Sequence, residues 1–386
     1  MAAPTTTTRY FNLPKERCPF TLSNGSTLSE ITLAYEQYGE INSERDNVIL
    51  LFHALSGSHH ASGHNPDNPP AGDLWTDECW DGWWDAFIGS GKALDTDKFC
   101  VLCVNYLGGC YGSTGPASHN PETLKPYGSS FPHITASDVV DSQWELLESL
   151  AVKKLHAVVG SSVGGLLALN LATRYPNTVN KVIITGSALQ VSPLQKILIL
   201  EQILAIENDS HFKGGDYYDG EHPDTGLALA RMISHKTFVS LRTLESRARR
   251  DVVRGGKQLS WHQIESPLES YLLYQGNKFV KRFDANTYLR ILEIWQKFDI
   301  LHQADAQSYE QLFEPCKHQE YLVFTISSDV CFYPDQQSGI VRALKSAGVS
   351  NMHLTVHSEK GHDSFLLEPE LYTPHLNYML SGTGRD

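Results

Sequence analysis

The amino-acid sequence predicts an α/β fold: a mostly parallel β-sheet with helices on both faces, interrupted by a helical insert. Three observations predict it. Residues 47–53 (NVILLFH) and 100–105 (CVLCVN) are short continuous apolar runs, as in strands covered on both faces. Up to residue 186 such runs alternate with segments of helical periodicity, the pattern of parallel strands joined by crossover helices. From 187 to 307 the strand signal stops, and it then returns.

In chain order, residues 1–20 are polar and Thr-rich and predict a loose terminus. Residues 30–38 (EITLAYEQY) alternate and predict a strand, followed by the runs at 47–53 and 100–105. Residues 137–150 carry apolar side chains at helical spacing, with Ser137 as candidate cap. Residues 156–160 (HAVVG) predict a strand, followed by a Gly-rich turn, a helix to about residue 174 and a strand at 181–186 (KVIITG). Within the insert, residues 194–206, 226–234, 238–250 and 285–298 have helical character. Strand character reappears at 321–326 and 353–357, with a helix at 336–347 between them. The predicted organisation is a core of residues 21–186 and 308–386 with a helical lid, 187–307, inserted in it. The Pro- and Asp-rich segment 64–80 predicts a surface loop.

Composition narrows the function. The chain has 386 residues, 41% hydrophobic and 19% charged, which is a globular composition. With 31 Lys and Arg against 44 Asp and Glu, the net charge is −13, which disfavours a nucleic-acid partner. No apolar run approaches the ~20 residues of a membrane helix, and the N-terminal segment shows no signal-peptide pattern. Seven cysteines, an odd number without framework spacing, predict a reducing, cytoplasmic setting. Cys100 and Cys103 lie in an apolar strand and are expected to be small core hydrophobes.

The sharpest local signal is Gly160-Ser161-Ser162-Val163-Gly164, a G-x-S-x-G between an apolar strand and a helix. Such a turn lifts the serine hydroxyl out of the sheet, and the helix behind it points free N–H groups at the same place. A hydroxyl is a poor nucleophile without a base. The chain order Ser…Asp…His of the α/β-hydrolase fold directs the search beyond the insert. Asp329 follows YLVFTISS and His362 follows LTVHSEKG, each just after a strand, where open α/β sheets build their sites. His362 is the expected base and Asp329 the group that orients it. The expected oxyanion donors are the backbone N–H groups of Val163 and of Leu55, in the loop after 47–53. His59, His60 and His64 lack the ligand spacing of a metal site, and no metal is expected.

A set of segments in the right order then resembles the homoserine O-acetyltransferase family, α/β-hydrolase-fold amino-acid O-acyltransferases. They are LAYEQYGE (33–40), HALSGS (53–58), GWWDAFIGSGKALDTDKF (82–99), NYLGGCYGSTGP (105–116), NPETLKPYGSSFP (120–132), LARMISH (229–235), ESYLLYQGNKFVKRFDANTYL (269–289), SSDVCFYP (327–334) and GHDSFL (361–366). The resemblance implies an α/β-hydrolase fold with an inserted helical lid, and triad roles for Ser162, Asp329 and His362. It implies that Arg231 binds the acceptor's carboxylate and Asp363 its amino group. It implies acetyl-CoA as co-substrate, no permanently bound cofactor, ping-pong transfer to L-homoserine in methionine biosynthesis, and a homodimer formed through the lid helices. The expected lid would cover the site and admit the pantetheine arm of the co-substrate.

The chain departs from the family pattern in places. Val163 replaces the Met of the usual elbow, segment 64–80 is longer, and 187–265 matches only in patches. Succinyl-using relatives carry an arginine two residues after the triad aspartate. Here that residue is Cys331, and without a cation a buried succinyl carboxylate would be costly, so acetyl is expected over succinyl. Serine as acceptor stays open, because one methylene is worth only ~1–3 kcal/mol. The basic residues Arg247, Arg249, Arg250, Arg254 and Lys257 are expected to form a solvated helix face, with the phosphates of coenzyme A as the alternative. A plain esterase would share the triad and the oxyanion hole but give Arg231 and Asp363 no work. A non-catalytic scaffold is disfavoured by the complete triad.

Overall fold

The computed structural model describes residues 6–250 and 261–382, with only the backbone of Arg249 and Arg250. Eight strands form the main sheet: β1 (Arg9–Asn12), β2 (Thr32–Tyr38), β3 (Val48–Phe52), β4 (Cys100–Val104), β5 (Leu155–Ser161), β6 (Val179–Thr185), β7 (Glu320–Ile326) and β8 (Ser350–Val356). Their order is β1-β2-β4-β3-β5-β6-β7-β8. β2 runs antiparallel to both neighbours, and β3 to β8 are parallel.

Alternation divides each buried strand between two cores. Val48, Leu50 and Phe52 of β3 join one apolar cluster, while Ile49 and Leu51 join the other. Helices α1 (Ala136–Ser149), α2 (Val163–Arg174) and α8 (Pro334–Ser346) supply side chains to the first cluster; α9 (Thr373–Ser381) supplies Leu376, Met379 and Leu380 to the second. Coverage on both faces is why these strands are continuous apolar runs. The strand order reverses at β3, with β4 on one side and β5 on the other. Phe52 pairs with Gly160, so the chain leaves both strands at one edge of the sheet. That crevice is where a parallel sheet builds a ligand site.

Between β6 and β7 lies the lid: α3 (Pro193–Glu207), α4 (Asp224–Phe238), α5 (Leu241–Arg250), α6 (Pro267–Phe279) and α7 (Ala285–Gln296). α6 was not legible as a helix, because Gly276 interrupts its apolar spacing. The glycine is needed where α6 crosses α4: a Cβ there would lie 2.7 Å from the Ala228 carbonyl oxygen.

Two local expectations are corrected. The cap of α1 is Thr135, whose hydroxyl accepts from the Asp138 N–H while Asp138 accepts from the Thr135 N–H; Ser137 lies inside the helix and is buried. The N-terminal segment is also not loose throughout, since residues 9–12 pair with Thr32–Tyr35 as the edge strand. Four residues with one buried side chain, Phe11, are too short to signal a strand.

Segment 64–80 runs over the surface but is pinned from below. Glu36 on β2 is buried and accepts from Tyr38 Oη (2.7 Å) and Asn65 Nδ2 (2.8 Å), with His60 Nδ1 at 2.8 Å. Burial alone would raise the Glu36 pKa. The hydrogen bond and charge of His60, then His59 and Tyr38, outweigh burial and hold it below the ordinary value. His60 Nε2 lies 2.9 Å from the Trp80 carbonyl, and Trp75 Nε1 donates to the Asn65 carbonyl (2.9 Å). We predict that Glu36→Ala, which strips Thr8, Tyr38, Asn65 and His60 of a buried acceptor, costs roughly 3 kcal/mol or more. In urea denaturation the midpoint should fall with an unchanged slope. An unchanged midpoint would show that the network holds nothing.

Candidate active site

Ser162 sits on the turn from β5 into α2 with φ 58° and ψ −128°, a region costing about 1–3 kcal/mol for a non-glycine residue. The neighbouring glycines are required by space. A Cβ on Gly160 would lie 2.1 Å from the Gly164 carbonyl oxygen, and one on Gly164 would lie 2.4 Å from that of Phe52. The turn is tied to β6 by the Ser162 N–H, which donates to the Thr185 carbonyl (2.9 Å).

His362 and Asp329 come from beyond the lid. Asp329, 1% exposed, follows β7, and its Oδ1 accepts from the N–H groups of Cys331 (2.8 Å) and Phe332 (2.9 Å). Its Oδ2 accepts from Gln337 Nε2 of α8 (3.0 Å) and lies 2.7 Å from His362 Nδ1. With Nδ1 held by the carboxylate, Nε2 is the nitrogen left to act. It is buried and has no hydrogen-bond partner among the described residues. The ring stacks on Phe332 (5.5 Å, 22°) and meets the edge of Phe365. Burial lowers the pKa of His362, but the charge and hydrogen bond of Asp329, with the charge of Asp363, outweigh it and hold the pKa above the ordinary value.

Ser162 and His362 line one cavity of about 190 Å³. Gly186, next in chain to the Thr185 that holds the Ser162 N–H, packs against the imidazole of His362. A Cβ at Gly186 would lie 3.2 Å from His362 Cε1.

The loop after β3 forms another wall. Leu55 lines the cavity, and the N–H groups of Leu55 and Val163 have no hydrogen-bond acceptor among the described residues. Upstream the loop is braced. His53 stacks on Tyr106 (3.6 Å), Tyr106 Oη donates to the His53 carbonyl, and burial pushes the His53 pKa down to about 3. A neutral His53 adds no charge beside the open N–H of Leu55.

Arg231 on α4 and Asp363, adjoining His362, line the same cavity. The Arg231 guanidinium lies over Phe279 (4.7 Å) and Phe238 (5.2 Å), and its Nη1 donates to Ser56 Oγ at 3.4 Å. Burial and then the nearby charge of Arg282 lower its pKa to about 10, so it stays cationic at neutral pH. Burial raises the pKa of Asp363 although His362 and Arg231 oppose this. Arg282 also lines the cavity and was missed as a site residue. It lies within ESYLLYQGNKFVKRFDANTYL (269–289), and a lone Arg in a long motif carries no spacing signal. Trp83, Phe238 and Trp295 complete the apolar walls.

Other candidates fall elsewhere. Val163 is 1% exposed and packs in the core, so its side chain forms no part of the described cavity lining. Cys331 is buried, lining a smaller pocket beside Phe238 and Trp295, two residues that also line the main cavity. His59 and His60 belong to the Glu36 network, and His64 meets Asp81 at the surface (2.8 Å). Among the described residues no cluster could hold a metal ion, and no helix is long and apolar enough to cross a membrane. Cys100 and Cys103 are buried free thiols. Of the basic run, half-buried Arg247 lies on α5, where its charge reaches Asp363, and Arg254 and Lys257 lie outside the described residues.

The sheet order, the serine turn and the acid–histidine pair define an α/β-hydrolase, and the α/β hydrolase fold family matches residues 47–369. Among curated proteins, the chain is 39% identical to a homoserine O-acetyltransferase of Methanosalsum zhilinae, over 97% of this chain and 72% of that one. It is 41% identical to a homoserine O-succinyltransferase of Alkalilimnicola ehrlichii, over 95% and 94%. The chain belongs to the homoserine O-acetyltransferase family. Among solved structures it resembles the homoserine O-acetyltransferase of Bacillus anthracis (TM-score 0.86, 26% identity, 99% and 100% covered) and an esterase (TM-score 0.85, 28% identity, 97% and 100% covered).

The raised His362 pKa has a measurable consequence. If His362 must be neutral to take a proton, labelling of Ser162 by a fluorophosphonate should rise with pH through an inflection above 6.5. Asp329→Asn should slow labelling by about 10⁴-fold and move the inflection to lower pH. Labelling that ignores both changes would remove His362 from the reaction.

Proposed function

We propose that this chain is an acyl-CoA-dependent acyltransferase that moves an acetyl group from acetyl-CoA to the side-chain hydroxyl of L-homoserine, serving methionine biosynthesis. One observation carries the proposal: the unpartnered Nε2 of His362, the Ser162 turn, and a cation–carboxylate pair, Arg231 and Asp363, line a single cavity.

In the first half of the cycle, His362 takes the Ser162 proton and Oγ attacks the thioester carbon. The N–H groups of Leu55 and Val163 receive the developing oxyanion; losing one such donor typically costs about 3 kcal/mol. The C–S bond breaks, and the thiolate takes the proton from His362 and leaves as CoA. In the second half, Arg231 holds the acceptor's carboxylate and Asp363 its ammonium group, which turns the hydroxyl toward the acyl-serine. His362 takes the hydroxyl proton, the new ester forms, and the proton returns to Ser162. The cavity's aromatic walls limit water, which would otherwise hydrolyse the intermediate.

The lack of a cation among the described residues lining the small pocket of Cys331 supports acetyl as the acyl group. Gln195, Gln202 and Thr237 line the same small pocket, and none supplies a cation for a succinyl carboxylate. We also propose a homodimer through the lid. Leu194, Ile197, Leu200 and Leu204 expose an apolar stripe along α3, with Leu229 exposed on the neighbouring α4.

The likeness to an esterase structure favours one second reading, a hydrolase. A steady-state panel of acetyl- and succinyl-CoA against homoserine and serine separates the possibilities. We expect CoA release that depends on homoserine, is fastest with acetyl-CoA, and disappears in Ser162→Ala. CoA release at one rate with or without an amino acid would support the hydrolase.

A further inference from the structure

The proposed cycle gives Arg282 no work, although it lines the cavity of Ser162. We propose that Arg282 is a second anchor for the acceptor's carboxylate, shared with Arg231; this rests on the acyltransferase reading above. The two guanidiniums converge. Arg231 Nη1 donates to the Ser56 side chain (3.4 Å) and Arg282 Nη1 to the Ser56 carbonyl (3.3 Å). Both lie over the ring of Phe279, at 4.7 and 5.1 Å.

Charge counting points the same way. Asp363 lines the same cavity as Arg231, and its charge reaches the guanidinium. Arg282 Nε lies 3.6 Å from Glu78 in segment 64–80, but Glu78 also pairs with Lys278 (3.0 Å), so one carboxylate serves two cations. Asp363 and Glu78 thus face Arg231, Arg282 and Lys278, and the charge of Arg247 also reaches Asp363, so positive charge is in excess. Arg231 makes a single long hydrogen bond, so most of its N–H groups are without partners among the described residues. Arg282 Nη1 also donates to Tyr111 Oη (3.2 Å), and Nη2 takes no part in these bonds. Two half-satisfied guanidiniums sharing one wall fit a single planar carboxylate, which accepts from both.

The ligand's own chemistry narrows the anion further. An acetyl group carries no charge. The phosphates of coenzyme A lie a whole pantetheine arm from the thioester carbon, beyond the walls of this pocket. A zwitterionic amino acid brings its ammonium group to Asp363 and its carboxylate to the arginine pair. Glu78, by contrast, acts through Arg282 as a positioning residue, which gives the long surface segment a link to the site.

The test uses the full chain as wild type, R282M and R282K, with separate KM values for homoserine and acetyl-CoA and a stopped-flow measurement of the first-turnover CoA burst without acceptor. In R282M, the KM for homoserine should rise about tenfold or more, as for a lost charge-assisted contact. The KM for acetyl-CoA and the burst should match wild type, and R282K should recover part of the homoserine affinity. A slowed burst or a raised KM for acetyl-CoA in R282M would overturn the proposal, because Arg282 would then serve the donor or brace the loop after β3. An unchanged homoserine KM would overturn it directly. A wild-type chain that gives no burst and no O-acetylhomoserine would instead refute the acyltransferase reading itself.

Discussion

The site depends on the backbone of Ser162 being held at positive φ where three chain segments crowd together. The elbow cannot relax toward β3 because Gly164 already touches the Phe52 carbonyl, and a Cβ would close that gap to 2.4 Å. It cannot slide along β6 because its N–H is bound to Thr185. The sheet thus offsets a local strain of about 1–3 kcal/mol with packing far larger than that. In return, one hydroxyl faces the cavity at the start of a helix, beside the end of β3.

The second constraint is electrostatic. Asp329 has four hydrogen-bonding neighbours, two backbone N–H groups, Gln337 and His362, so its carboxylate is fixed in direction and satisfied without water. It fixes the tautomer and plane of His362, and the stack on Phe332 holds the ring from the side. α8 matters for this reason: Gln337 ties the acid to the helix after β7 while also accepting from the Ile326 N–H (2.9 Å). The lid adds what a bare hydrolase core lacks. α4 packs against the turn carrying His362 and brings Arg231 to the cavity that Ser162 lines.

Much of this was legible in the sequence, for identifiable reasons. Strands buried on both faces are short apolar runs, so β3 to β7 stood out, and the serine turn announced itself through glycines that only close backbone contact requires. Asp329 and His362 were found because strand ends are few and the chain order is restricted. Elements that tertiary contacts alone create were not legible. β1 is four residues on an edge, α6 carries a glycine demanded by α4, and Thr135 outcompetes Ser137 as a cap through a reciprocal bond with Asp138. Arg282 was invisible as a site residue because its place beside Ser56 joins two parts of the chain 226 residues apart. Segment 64–80 had the composition of a loose loop, yet the Glu36 network beneath it lies on β2 and could not be assigned to it from spacing.

The central claim is that the acyl group passes through Ser162 Oγ. Brief mixing with acetyl-CoA and no acceptor, acid quench and peptide mass spectrometry tests it most directly. The account predicts one acetyl group on the peptide containing Ser162, absent in His362→Ala, and discharged as O-acetylhomoserine when homoserine is added before the quench. An unmodified Ser162 peptide while O-acetylhomoserine accumulates would mean direct transfer between the two substrates, and would contradict the account.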